Sequence, residues 1–162
     1  MTTTMPPIKQ MHLTVAAVIE RNGSFLMVTD DTSQGYKLNQ PAGHVEDGED
    51  ILSAVVREVK EEAGINFYPE KIIGIYLYKL NSDHTYLRIC FKGGIDGNIE
   101  EPKPSAMDDG VIDAKWYSKE ELNDLTKYFR SHLVKQCIDD YLAGNEYDLS
   151  ILSPYKDCSI SG

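Results

Sequence analysis

The sequence predicts an α/β fold, a mixed β-sheet sandwiched between α-helices. Three observations predict it. Short β-branched segments lie both before and after one strongly periodic helix. Further helical segments gather near the C-terminal end. No repeat, low-complexity tract or internal linker interrupts the 162 residues. One compact domain is expected over residues 11–150, with 1–10 a flexible leader and 151–162 a C-terminal tail.

The elements follow in order. HLTVAAVIE is apolar and β-branched, as a buried strand requires. RNG then forms a turn, and SFLMVTD is a second strand, so the two are expected to pair as a hairpin. DTSQG reads as a loop, and YKLNQPAGH as a short extended stretch broken at Pro41. EDILSAVVREVKEEAG is the clearest helix, with Ile51, Leu52, Val55, Val56 and Val59 forming its apolar stripe. Acidic residues crowd its start, and Gly64 closes its end. KIIGIYLYKL and HTYLRICFKGGI are two more strands joined at NSD, and DGNIEEPKPSAMDDG is an acidic loop. VIDAKWYS is a strand. SKEELNDL opens with a capping box, Ser118 three residues before Glu121. HLVKQCIDDYLAG is the last helix, closed by Gly144.

Charge and composition restrict the chemistry. The net charge is -10, which argues against nucleic acid as a partner, because that contact needs Lys and Arg against phosphates. An acidic chain that handles phosphate needs a cation between the two, which hints at Mg²⁺. Cys90, Cys137 and Cys158 form no CxxC or zinc pattern, so free thiols in the cytoplasm are expected. The leader has no signal-peptide core, and no apolar run reaches membrane-spanning length.

The helix poses a problem. At about 100° per residue, Glu61 falls about 60° to one side of Glu58 and Glu62 about 40° to the other. All three carboxylates therefore share one arc, and Glu58 with Glu62 is a repelling i,i+4 pair. Such a face is either solvated decoration or a cage of hard oxygens for Mg²⁺ or Mn²⁺.

The surrounding residues bear on that choice. Gly43 is followed by five residues and Glu49, then by seven residues and Arg57-Glu58-Val59-Lys60-Glu61-Glu62-Ala63-Gly64-Ile65. This resembles the Nudix box, a glycine, a glutamate and an REUxEExGU helix in which U is aliphatic. All nine restricted positions over 23 residues match. The resemblance implies the Nudix fold and hydrolysis of a nucleoside diphosphate linked to another group. It implies Glu58, Glu61 and Glu62 as metal ligands, with the Gly43 carbonyl beside them. Arg57 would hold carboxylates through its planar fork, with Glu49 its partner. Members of the family differ in which residue is the base; Glu61 is the one favoured here.

LNQPAGHVEDGE, YLRICF, KWYSKEEL and RSHLV with YLAGNEY look like the NudJ group of Nudix phosphatases, over roughly residues 11–150. That resemblance implies release of phosphate from nucleoside tri- and diphosphates. It also implies action on hydroxymethylpyrimidine pyrophosphate, a thiamine precursor. Gln40, His44, Arg88 and Asp109 are the expected substrate contacts. His44 could equally be a plain loop histidine, and Arg88 could simply reach solvent. Asp108 and Asp109 are either an extra acid for the metal or solvated loop residues. Arg130 could touch a phosphate. Tyr76, Tyr78 and Phe91 could stack a base, although alternating strand aromatics are more often packing residues. Trp116 is expected in the core, and His12, His84 and His132 are read as structural. Two other readings stand beside the hydrolase: a Nudix-fold module that senses a nucleotide without cleaving it, and a pyrophosphohydrolase of another Nudix group, RNA 5′ ends included. A monomer or homodimer is expected.

Overall fold

In the computed structural model, which describes residues 4–97, 101–104 and 110–154, the first predicted strand becomes β1 (Gln10–Val18). Residues 15–18 are buried whichever face they point to. A strand segment buried on both faces needs a neighbour on each edge and cover on each side. β1 pairs antiparallel with β5 (Ala42–His44) and parallel with β7 (His84–Ile95). β7 pairs antiparallel with β6 (Phe67–Lys79), and β9 (Tyr147–Asp148) closes on β6. The result is a mixed five-stranded sheet in the order β5-β1-β7-β6-β9.

This arrangement corrects the expected hairpin. The turn is there, with Asn22 and Gly23 both at positive φ, and β3 (Ser24–Thr32) follows it. Only β2 (Glu20–Arg21) folds back onto β3, however. β1, apolar and buried from Val15 to Val18, is taken by the other sheet, where both of its edges are filled. β3 instead centres a four-stranded antiparallel sheet with β2, β4 (Gly35–Asn39) and β8 (Val111–Ser118). The expected DTSQG loop shrinks to a tight turn, because β3 runs through Thr32 and β4 begins at Gly35.

Helices cover both faces of the mixed sheet. α1 (Ile51–Ala63) buries Ala54, Val55, Val59 and Ala63 against Val15, Ala17, Ile89 and Phe91. Val56 leaves the predicted stripe and is 37% exposed, on the flank beside Lys60. The acidic start lies just outside the helix: Asp50 is the N-cap and no acid stands in the first turn. Gly64, at φ 72°, closes α1 through its N–H to the Lys60 carbonyl. α2 (Lys119–Asp124) has its capping box complete, both Ser118–Glu121 bonds being 3.1 Å. α3 (His132–Leu142) packs Leu133, Val134, Cys137 and Ile138 on the opposite sheet face, against Ala16, Val18 and Cys90.

The parallel register of β1 with β7 positions the site. It sets His12 beside Tyr86, Thr14 beside Arg88 and Ala16 beside Cys90. These residues share one face, since side chains alternate along a strand. α3 covers the Ala16–Cys90 end of that face, and Thr14, Arg88 and Tyr86 line a cleft beside it.

Candidate active site

One turn of α1 faces β5, and Arg57 organises that contact. Its Nε donates to Glu49 at 2.7 Å and its Nη2 to the other Glu49 oxygen at 3.0 Å, a bidentate pair. Its Nη1 donates to Glu58 at 2.9 Å and to Glu61 at 3.1 Å. Nη2 also reaches the His44 carbonyl at 2.9 Å. The Arg57 bond holds the Glu49 carboxyl below its ordinary range, and Glu49 in turn raises Arg57.

The three helix glutamates are not equivalent. Glu58 and Glu62 are buried, whereas the Glu61 side chain is 39% exposed at the rim. Glu62 accepts from the Ala42 N–H at 2.7 Å. The Glu58 carboxylate lies against Gly43 so closely that a Cβ there would collide with it. Only glycine lets the β5 backbone come this near. Among the described residues no three acidic, imidazole or thiol groups converge on one point. Two contacts account for that: Arg57 draws Glu58 and Glu61 to itself, and the Ala42 N–H draws Glu62. Even so, the donor set fits a divalent cation. It consists of hard carboxylate oxygens beside a backbone cradle that a side chain would fill.

Gly43, His44 and Glu62 form one end of a cleft of about 260 Å³. Arg88, Arg130, Tyr78 and Ser131 line its other parts, with Asp30 and Asn39. A larger depression of about 600 Å³ lies on the outer flank of α1, with Arg57 and Glu61 on its border. The smaller cleft is the better candidate site, because it joins Glu62 and the Gly43 cradle to the two arginines.

The expected substrate contacts separate here. His44 lines the cleft, and burial followed by the nearby His12 lowers its pKa. Arg88 lines the cleft and is 4% exposed. Gln40 is 1% exposed and donates to the Val134 carbonyl at 2.8 Å, so here it braces the β4–β5 connection against α3 and does not line the cleft. Asp108 and Asp109 lie outside the described residues. Of the possible stacking residues, Phe91 is fully buried, and Tyr76 is buried with its hydroxyl on Asp140 at 2.7 Å. Tyr78 alone of the three lines the cleft, and burial pushes its phenol up against the pull of Arg88. Trp116 is half-buried against the core, with the Arg21 guanidinium over its ring.

The sequence reading left out Thr14, Asp30, Asn39, Tyr86 and Ser131. For Thr14 and Tyr86 the signal was alternation on β1 and β7, which gains meaning only once the parallel register is known; Asp30, Asn39 and Ser131 come from β3, β4 and the segment before α3 and carried no local signal. His12 and His84, read as structural, join a column of rings: His12 stacks on Tyr86 and Tyr86 on Tyr78, with centroids 4.5 and 5.2 Å apart.

A mixed sheet held between α1 and α3, with a glycine cradle and an Arg57-bound carboxylate set at its edge, is the architecture of a Nudix hydrolase. The NUDIX domain family model matches residues 10–137, and the chain belongs to that family as a phosphohydrolase. It is similar to the phosphatase NudJ of Escherichia coli K12, at 35% identity over 147 residues, covering 90% of this chain and 92% of that one. A NUDIX hydrolase from Nitrosomonas europaea superposes with a TM-score of 0.83 at 43% identity, over 93% of this chain and 100% of that one. The MutT protein of Methanosarcina mazei Go1 superposes at 0.67 with 26% identity, over 84% and 96%. No helix among the described residues is long and apolar enough to cross a membrane.

Proposed function

We propose that this chain is a Mg²⁺-dependent phosphatase of nucleoside di- and triphosphates and related small pyrophosphates, hydroxymethylpyrimidine pyrophosphate among them. Mn²⁺ is the expected substitute. The observation that carries the reading is a small cleft with buried Glu62 and the Gly43 cradle, which Glu58 backs, at one end and two arginines beyond them. Similarity to the NudJ phosphatases supports the phosphatase arm.

In this reading Glu58, Glu62 and the Gly43 carbonyl hold the cation, with Glu61 at the rim. A bound divalent cation supplies charge neutralisation for the phosphate and a lowered pKa for water. Glu61, the most exposed of the three, receives the proton of the attacking water. Arg57, itself held by Glu49, holds the Glu58 and Glu61 side chains, the former beside the Gly43 cradle. His44 lies at the carboxylate end of the cleft, where it would meet substrate. The free thiols of Cys90 and Cys137 suit the cytoplasm. A monomer or homodimer remains the expected state.

The test is a product assay with Mg²⁺. Orthophosphate released from nucleoside tri- and diphosphates supports the proposal. Pyrophosphate with a monophosphate would move the chain to the internal pyrophosphohydrolases. Tight binding of one nucleotide with no product would indicate a sensor, a reading that the complete Glu58–Glu61–Glu62–Arg57 set disfavours.

A further inference from the structure

Arg88 is buried to 4% exposure, yet among the described residues no carboxylate pairs with it. Its Nη2 donates to the Asn39 side-chain oxygen at 3.0 Å. A guanidinium has five N–H donors, and a buried cation without a counter-ion is costly. The chain nevertheless places this one on the floor of the cleft, between Thr14 and Tyr76 in the sheet register. The missing counter-ion is therefore to be sought in what enters the cleft.

Two further groups stand with it. Arg130 lines the same cleft, and Asp30 holds its Nη1 at 2.7 Å. Its backbone N–H is fixed on the Leu38 carbonyl at 2.8 Å. That leaves Nε and Nη2 of a restrained fork for another acceptor. The Tyr78 phenol lies within the field of both guanidinium groups, and burial keeps it protonated as a donor. The carboxylates for the cation stand at the opposite end, at Gly43 and Glu62.

We propose that Arg88, Arg130 and Tyr78 form a seat for an unesterified terminal phosphate, so that the cleft selects diphosphates and triphosphates with one free end over those capped at both ends. This deepens, and rests on, the hydrolase reading given above. The cleft volume agrees with it: about 260 Å³ lies below the usual range for small-molecule pockets and has little room for a second organic group. A free terminal phosphate brings two negative charges and three acceptor oxygens, which suits two guanidinium forks and a phenol. A capped phosphate brings one charge and an ester group that has nowhere to go.

The test separates binding from turnover. The purified chain is titrated calorimetrically in EDTA with inorganic pyrophosphate, and with a diphosphate esterified at both ends, P1,P2-dimethyl diphosphate. Pyrophosphate is expected to bind at least tenfold more tightly. R88M and R130Q should each lower its affinity about tenfold or more, and Y78F by a few-fold. R88M should melt no lower than the wild type, because it removes an uncompensated buried charge and keeps the volume; R130Q, at an exposed position, serves if R88M fails to fold. In the turnover arm, the kcat/KM ratio for ADP over P1,P2-diadenosine diphosphate should fall about tenfold in R130Q. Equal affinity for free and capped diphosphates, or unchanged pyrophosphate binding in R88M and R130Q, would overturn the seat. Selective binding with no hydrolysis of any substrate would leave the seat standing and remove the hydrolase reading.

Discussion

The α1 side and the α3 side of the site handle charge in opposite ways. At the α1 end one arginine is surrounded by acids: Arg57 contacts Glu49, Glu58 and Glu61, with Glu46 at 3.7 Å. At the α3 end Arg88 is buried with no acid paired to it among the described residues. The first region is short of positive charge and the second of negative charge. A divalent cation suits one and an anionic phosphate the other, so a magnesium–phosphate pair would balance both at once. Neither end taken alone implies a metallophosphate substrate as strongly as the contrast does.

The largest expected effects break the α1 end. Glu62→Gln weakens a buried cation ligand, and Glu61→Gln removes the proposed base. Each should lower kcat by about 10²–10⁴-fold in a Mg²⁺ assay while the circular dichroism spectrum is unchanged. Near-normal turnover in both would sink the metal-cage account. Gly43→Ala is expected to cost about 10²-fold, because its Cβ displaces the Glu58 carboxylate, and small misplacements in an active site are expensive. That loss should come with little change in melting temperature in EDTA.

The metal itself should be visible in stability. A ligand that binds only the folded state at 100 times its Kd adds about 2.7 kcal/mol. For a chain of this length, that raises Tm by about 5–10 °C. Saturating Mg²⁺ against EDTA should show this rise in the wild type, and Glu58→Gln should remove most of it. No shift in the wild type would mean that the Arg57-centred arrangement is the resting state with metal as well as without it.

Those same residues mark how far the sequence could be read. Gly43, Glu49, Arg57 and the three glutamates lie within a single contiguous stretch, and helical geometry alone puts the carboxylates on one arc. Local chemistry decides that region, so it was legible, down to the Glu49–Arg57 pair. The difference between buried Glu58 and Glu62 and the rim position of Glu61 was not legible, since it depends on where β5 docks. The α3 end draws residues from β1, β3, β4, β6, β7 and the segment before α3. Each looked like an ordinary strand or loop residue until pairing brought them together. The hairpin misreading has the same origin: proximity in sequence favoured β1 with β3, but burial on both faces of β1 favoured β5 and β7.

The smallest expected effect sharpens the comparison through pH. Arg57 holds the Glu49 carboxyl below its ordinary value of 4.5, and the unfolded chain loses that bond. A carboxyl whose pKa is depressed by folding stabilises the folded state above the unfolded pKa, and that contribution disappears as pH falls through the lower, folded value. Glu49→Gln keeps the shape but not the charge. At pH 7 in EDTA it should melt about 2–4 °C below the wild type, corresponding to about 1 kcal/mol for a partly exposed pair. The gap should narrow below about pH 4.5 and close in stronger acid, because the protonated carboxyl of Glu49 and the amide that replaces it then offer Arg57 similar acceptors. An Arg88→Met variant should show no such closure, because no carboxylate among the described residues is tied to it. If the Glu49→Gln gap stayed constant from pH 7 to pH 3, the Arg57 cluster would owe its order to packing rather than to charge, and the contrast between the two sides of the site would lose its electrostatic basis.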